Sequence, residues 1–411
     1  MKRILSILIL CALLLPVVLC ASSCDKAGSE TITLYVYNWG EYMSDGSEGT
    51  LDVNEMFEEW YYETYGVKVE VNYSTYSSNE SMYAKLSSGS VDYDIVVPSE
   101  YMIARMIEED MLAEINWENI PHITNIHPDF FGENAKFNAY DPEGKYAVPY
   151  LYGMIGIIYN TTMVDEEDIG SWDLMWNEKY AGNILQFNNN RDAFGSAMYY
   201  LGHCDDINTD DEAIWQKALE ALKTQKPILQ GYVMDEIYNK MENGSAAIAA
   251  YYAGDYLTMY ENNPDLEFYY PEEGTNLYVD AMCVPAASQN KLIAERYINF
   301  MLTAEPAIAN AEYTYYASPN KLVVEDEDYI AYMNEIKDDG YDKMYATEDV
   351  KTSSYRNLKG DKLLLLNNLW EELKSDISVS GGIYAICGVI LGSLAGLGIY
   401  FFVRRKKRNI Y

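Results

Sequence analysis

An α/β fold in two domains is what this sequence predicts, on three observations. Short apolar strand-like runs alternate with amphipathic helix-like runs at the intervals of a parallel α/β sheet. Roughly 355 residues lie between two apolar ends, too many for one ordinary core and the right length for two domains. No internal repeat or low-complexity block breaks the alternation.

The elements follow in order. Ile32 to Tyr37 is the first strand. "LDVNEMFEEWYYETYG" sets Leu51, Met56, Phe57, Trp60 and Tyr61 at helical spacing, with Gly66 as a stop. "VKVEVNY" alternates like a strand, "NESMYAKLSSG" is a helix ending at Gly89, and "YDIVVP" is a short buried strand. The second half keeps the same alternation, with "GMIGIIYN", "SAAIAAYY" and "NLYVDAMCVP" as strands and "RDAFGSAMYYLG" and "EAIWQKALEALK" as helices. "LIAERYINFML" and "LLLLNNLWEELK" are amphipathic helices that close the region.

The two ends carry addresses. Lys2 and Arg3 precede an apolar run from Ile4 to Leu19 and small residues Ala21, Ser22 and Ser23, the layout of a signal peptide over residues 1–23. Cys24 follows directly, which is similar to a bacterial lipobox, although Ala21 stands where leucine is preferred. Lipidation of Cys24 is the expectation; an ordinary secretory signal with an incidental cysteine is the alternative. At the other end Ile383 to Val403 is an uncharged apolar run of 21 residues, the length of a membrane-spanning helix. Five basic residues at 404–408 assign the tail 404–411 to the cytoplasm and the rest to the outside. No LPxTG-like motif precedes the run, so a retained membrane helix is expected. Gly388, Gly392 and Gly396 recur every four residues along it, a strip that admits another helix closely.

Charge narrows the partners. The formal net charge is −35, and Lys2, Arg3 and residues 404–408 supply seven positive charges, so the stretch between them stands at −42. Nucleic acid is excluded as a partner, because phosphate binding needs a basic face. A cationic ligand is drawn in by such a field. Apart from the ends, Cys204 and Cys283 are the only cysteines, too few for a disulfide framework, and the sequence leaves their pairing open.

Catalytic signatures are missing. His122, His127 and His203 form no HExxH and no Cys/His ligand set, so no metal site is expected. GxSxG, a P-loop and GxGxxG are absent as well. A carboxylate-pair hydrolase stays open in so acidic a chain, but no spacing singles out a pair. The aromatic content points to binding instead. Forty tyrosines and seven tryptophans are many, and several stand at strand ends beside acids or hydroxyls. These are Trp39 and Tyr42 in "NWGEY", Ser99, Glu100 and Tyr101 in "VVPSEY", Tyr251, Tyr252 and Asp255 in "AAYYAGD", and Tyr278 with Asp280 in "LYVDA". Residues two apart share one side of a strand. In α/β sheets, ligands sit in the crevice outside the carboxyl ends of the strands.

The segments "LYVYNWGEY", "YSTYSSNESMYAKL", "YDIVVPSEYMIARM", "IPHITNIHPDF", "YAVPYLYG" and "ASPN" occur in this order. Together they resemble the spermidine/putrescine-binding proteins of bacterial polyamine ABC importers, from about Thr33 to Lys374. The resemblance implies a two-lobed periplasmic-binding-protein fold, type II-like, with lobe 1 over 31–150 and 279–325 and lobe 2 over 151–278 and 326–378. It implies polyamine held in the interlobe cleft and handed to an ABC permease driven by a cytoplasmic ATPase, with no cofactor and no catalysis. By the same resemblance Trp39, Tyr42, Ser99, Tyr101, Asp192, Asp280 and Tyr316 match ligand-lining positions. Tyr252 and Tyr278 fall where a relative has tryptophan, and Asn189 falls where relatives carry an acid. Asp255 or Glu100 would restore that charge; failing this, the loss favours a diamine such as putrescine. Arg356 falls near a segment holding a site glutamine, where a cation would repel a polyamine. Glu41 is expected to face solvent or a neighbouring helix. A binding protein of the same fold for another small organic cation or solute is the alternative.

The chemistry is coherent in itself. A polyamine is a chain of methylenes interrupted by ammonium groups. Aromatic faces pack on the methylenes and attract the cations, each contact contributing about 0.5–2 kcal/mol. Carboxylates must meet the charges, because a buried ammonium without a partner is costly. Charge-assisted hydrogen bonds then fix the spacing.

Overall fold

The computed structural model describes residues 31–375. The expected signal peptide (1–23), Cys24, the membrane run (383–403) and the basic tail (404–411) lie outside the described residues. Among the described residues no helix is long and apolar enough to cross a membrane.

The chain opens with β1 (Ile32–Trp39), which pairs in parallel with β2 (Val69–Tyr76) along its whole length, Ile32 opposite Val69 and Trp39 opposite Tyr76. Helix α1 (Val53–Tyr65) makes the crossover. It starts where the Asp52 carboxylate accepts from the backbone N–H of Asn54 and Glu55. It ends at Gly66, whose φ of 68° is the left-handed conformation that a helix end favours. Helix α2 (Asn79–Ser87) leads to β3 (Ile95–Val96), parallel to β1, and then to α3 (Glu100–Glu108).

After a long irregular stretch come β4 (Ala147–Asn160), β5 (Ile184–Phe187), α4 (Asn190–Tyr200), α5 (Glu212–Gln225) and β6 (Leu229–Val233). A short helix, Glu236–Glu242, then precedes β7 (Ile248–Tyr252), α6 (Ala253–Asn262), β8 (Leu266–Tyr269) and β9 (Thr275–Cys283). The remaining longer elements are α7 (Lys291–Met301), α8 (Ala304–Thr314), α9 (Glu327–Ile336), β10 (Thr352–Ser353) and α10 (Asp361–Ser375).

Strand order is β2-β1-β3-β9-β4-β7-β5-β6, with β8 beside β4 and β10 beside β9. The expectation of a parallel sheet is corrected here. Strands β1, β2 and β3 are mutually parallel, as are β5, β6 and β7, but β9 runs against β3 and β4, and β4 runs against β7 and β8. Burial explains the misreading: every residue of β9 and nearly every residue of β4 is buried. Strands covered on both faces read as unbroken apolar runs, the usual mark of parallel sheets, and such a run carries no direction.

Strand β4 belongs to both halves of the sheet. Ala147–Met154 pair with β9, while Ile155–Tyr159 pair with β7 and Ile157–Asn160 with β8. It begins six residues before the expected start at Gly153, and the register shifts between Pro149 and Leu151. A proline has no N–H to give to the ladder, and the irregularity accommodates it. The expected divides at 150/151 and 278/279 fall inside β4 and β9. Cys204 and Cys283 are buried and free.

Candidate ligand-binding site

One open cleft, about 850 Å3 with the solvent at its mouth included, lies between the two halves of the sheet, and the eleven ligand positions expected from the sequence line it, with Glu100 and Tyr251 beside them. Trp39 and Tyr42 come from the end of β1, and Ser99 and Tyr101 from the β3–α3 junction. Asn189 and Asp192 come from the start of α4, Tyr252 and Asp255 from the β7–α6 junction, Tyr278 and Asp280 from β9, and Tyr316 from the turn after α8.

Each acid is held by hydroxyls. Asp280 accepts from Tyr42 (2.7 Å) and from Ser99 Oγ (2.6 Å). Ser99 is the residue before α3, where serine ordinarily caps the helix. Here its side chain makes no cap bond and goes to Asp280, opposite which it forms a β-bridge. Asp255 accepts from Tyr238 (2.6 Å) and Tyr316 (2.9 Å). Asp192 accepts from Tyr252 (2.7 Å) and Asn189 Nδ2 (2.7 Å). Asn189 is the N-cap of α4, its Oδ1 accepting from the Asp192 N–H at 2.8 Å. The amide at 189 thus orients an acid instead of being one. Trp39 is fixed by its indole N–H, which donates to the Val97 carbonyl at 2.9 Å.

Rings complete the walls. Tyr42 meets Tyr316 edge-on with centroids 4.8 Å apart, and Tyr252 meets Tyr278 edge-on at 5.3 Å. Tyr101 donates to Glu80 Oε1 at 2.9 Å.

The cavity holds residues that sequence reasoning does not place in it. Glu80, Asp235, Tyr76, Tyr238 and Tyr355 line it, and so does Glu41, whose carboxylate accepts from Tyr313. Arg356 does not line it; its neighbour Tyr355 does. Of these, Glu80 shares its placement with three acids that the sequence does single out. Glu80, Glu100, Asp192 and Asp255 each lie in the first turn of a helix, α2, α3, α4 and α6 respectively. A helix N-terminus carries partial positive charge and stabilises an acid there. Four such helix starts converge on the cavity, each bearing its own acid.

Electrostatics follows from that crowding. Seven carboxylate residues (Glu41, Glu80, Glu100, Asp192, Asp235, Asp255 and Asp280) line the cavity, and among the described residues no lysine, arginine or histidine does. Burial pushes Asp280 up to about 6, with donation from Ser99 and Tyr42 opposing and the Asp192 charge adding to it. Burial likewise raises Asp255 to about 7, against the hydroxyls of Tyr238 and Tyr316. Glu100 rises to about 8, through burial and then the charge of Asp280. One of its oxygens takes the Val279 N–H and the other is buried without a partner among the described residues. Asp192 is raised by burial, opposed by its bonds from Tyr252 and Asn189. Such a cavity favours multiply charged cations with apolar spacers. No group of three or more His, Cys, Asp or Glu side chains among the described residues is set to hold a metal ion.

Known proteins share this architecture. Residues 55–339 match the model of the bacterial extracellular solute-binding protein family. The spermidine/putrescine-binding periplasmic protein 1 of Haemophilus influenzae is 30% identical over 346 residues, 84% of this chain and 89% of the relative. A Listeria monocytogenes structure described as a spermidine/putrescine ABC transporter superposes with a TM-score of 0.72 at 30% identity, over 84% of this chain and 99% of that one. The spermidine/putrescine ABC transporter substrate-binding protein of Streptococcus pneumoniae gives 0.65 at 31% identity, again over 84% and 99%. These relatives are solute-binding proteins of transporters, not enzymes. With its fold, its acid-lined cavity and this breadth of match, the chain belongs to the bacterial extracellular solute-binding protein family.

Proposed function

We propose that the chain captures polyamines outside the cytoplasm and delivers them to an ABC permease. The observation that carries the reading is a cavity walled by tyrosines and Trp39, lined by seven carboxylate residues and by no basic side chain among the described residues. Trp39, Tyr42, Tyr101, Tyr252, Tyr278 and Tyr316 pack on the methylenes. Asp192, Asp255 and Asp280 meet the ammonium groups, Ser99 holds Asp280, and Asn189 holds Asp192. Position 189 taken alone favours a diamine, but Glu80, Glu100 and Asp255 bring enough acid for three amines, so the class proposed is polyamines of two or three amines.

Ligand bridges two lobes that hinge at β4 and β9 and favours the closed form by its higher affinity for that form. Lipid on Cys24 and the helix over 383–403 hold the receptor at the membrane, raising its concentration beside the permease. The test is mass spectrometry of small molecules that co-purify with the full chain, followed by calorimetric titration of putrescine, spermidine, cadaverine and a set of amino acids. Saturable binding of the amines alone supports the reading. Tight binding of an amino acid, with no response to any polyamine, overturns it.

A further inference from the structure

Beside the acidic cavity lies a second one of about 320 Å3, and Glu80 and Tyr101 stand in the wall of both. Its charge is of the other sign. Arg105, Arg191 and Arg356 line it, with Glu80 as the opposing acid. Three arginines at one small pocket are unexpected in a chain whose net charge is −35.

Two of the three have no counter-charge in contact. Arg105 donates to Glu109 at 2.9 Å and lies over the Tyr83 ring. Arg191 is 4% exposed, and its guanidinium reaches Asn208 Oδ1, the Ile207 carbonyl (3.2 Å) and the Arg356 carbonyl (3.4 Å). Its Nε is buried without a partner, and among the described residues no carboxylate lies within ion-pair distance. A buried charge without a paired charge is expensive. The Arg356 side chain is exposed and makes no hydrogen bond or ion pair among the described residues, while its backbone N–H is anchored on Asn208 Oδ1 at 2.8 Å. The pocket is thus built from a buried, hydrogen-bonded guanidinium and a free one, on walls from α2, α3, α4, α10 and the segment before α10.

We propose that this side pocket binds a small oxyanion, phosphate or carboxylate, between Arg191 and Arg356. The planar fork of a guanidinium matches both groups, which accept two parallel N–H bonds. Met102, Leu358, Leu363 and Leu366 line the same pocket and give it apolar walls beside the buried Arg191. The pocket shares Glu80 and Tyr101 with the acidic cavity, but its three arginines line the side pocket alone.

Calorimetry on the full chain in detergent, at constant ionic strength with chloride as the reference anion, tests it with inorganic phosphate and with acetate. The expected result is saturable binding of at least one of the two beyond the chloride response, weakened about tenfold or more by Arg356→Gln. Saturation by phosphate alone identifies a phosphate site, and by acetate alone a carboxylate site. An unchanged melting temperature in Arg356→Gln rules out a folding defect. Arg356→Lys keeps the charge without the fork and is expected to fall between wild type and Arg356→Gln. No saturation by either anion, or equal binding by wild type and Arg356→Gln, overturns the proposal.

Discussion

Replacing Asp280 by asparagine separates binding from stability, because the two respond with opposite signs. Asp280 is buried, takes the Tyr42 and Ser99 hydroxyls, and has its carboxyl raised from 3.8 to about 6. Holding that group ionised in the empty protein therefore costs about 3 kcal/mol at high pH, at about 1.36 kcal/mol per pH unit. A raised carboxyl contributes its stability below the unfolded value and loses it as pH rises through the folded one. Asparagine carries no such pH dependence and can still exchange hydrogen bonds with both hydroxyls. The ligand-free Asp280→Asn protein should thus be more stable than wild type by about 1–3 kcal/mol at pH 8 and equal to it near pH 4. Polyamine binding should weaken in the same variant. A buried ammonium–carboxylate contact is worth about 2–4 kcal/mol, which is about thirty- to several-hundred-fold in Kd. Denaturant melts at pH 4 and 8, paired with calorimetric titration of spermidine and putrescine at pH 8, measure both. A variant that is less stable than wild type at pH 8, or that binds both amines within threefold of wild type, would refute the argument.

Three further outcomes are expected. Bound ammonium groups favour the ionised forms of Glu100, Asp255 and Asp280, which titrate near 8, 7 and 6 in the empty protein. Polyamine affinity should therefore fall as pH drops from 8 to 5, and binding at pH 7 should release protons, seen as a calorimetric heat that changes with the ionisation enthalpy of the buffer. Gly254→Ala places a methyl 2.1 Å from the Tyr316 ring; the ring must move, so the protein should lose about 1–3 kcal/mol of stability and polyamine titration should show weaker binding. Ending the chain after Ser375 should leave binding unchanged while polyamine uptake by cells weakens; unchanged uptake removes the rationale for the tether.

What the sequence makes legible is the set of groups at strand ends. Trp39, Ser99 and Tyr252 stand where a strand gives way to a turn or a helix, Asp280 is an acid inside the buried strand β9, where a core has no need of one, and the fold gathers all four. Glu80 stays hidden because a first-turn acid is what any helix start favours, so its type carries no sign of a ligand. Asp235, the residue before the short helix that follows β6, stays hidden for the same reason. Strand direction is illegible too. The buried runs of β4 and β9 record that both faces are covered and say nothing about which way the neighbour runs. The amide at 189 reads as a missing charge, whereas its two bonds to Asp192 make it the part that aims one.

Strands β4 and β9 form the long ladder that continues through both halves, and Tyr278 and Asp280 sit on it. Points on a pivot travel little when the arms swing. Under the closure proposed above, these two side chains form a fixed seat, while Trp39 and Tyr101 on one arm and Asp192 and Tyr252 on the other are the moving jaws. Reshaping the jaws can retune which guest is gripped without disturbing the axle, so altered selectivity should be easier to evolve at 101 or 252 than at 280.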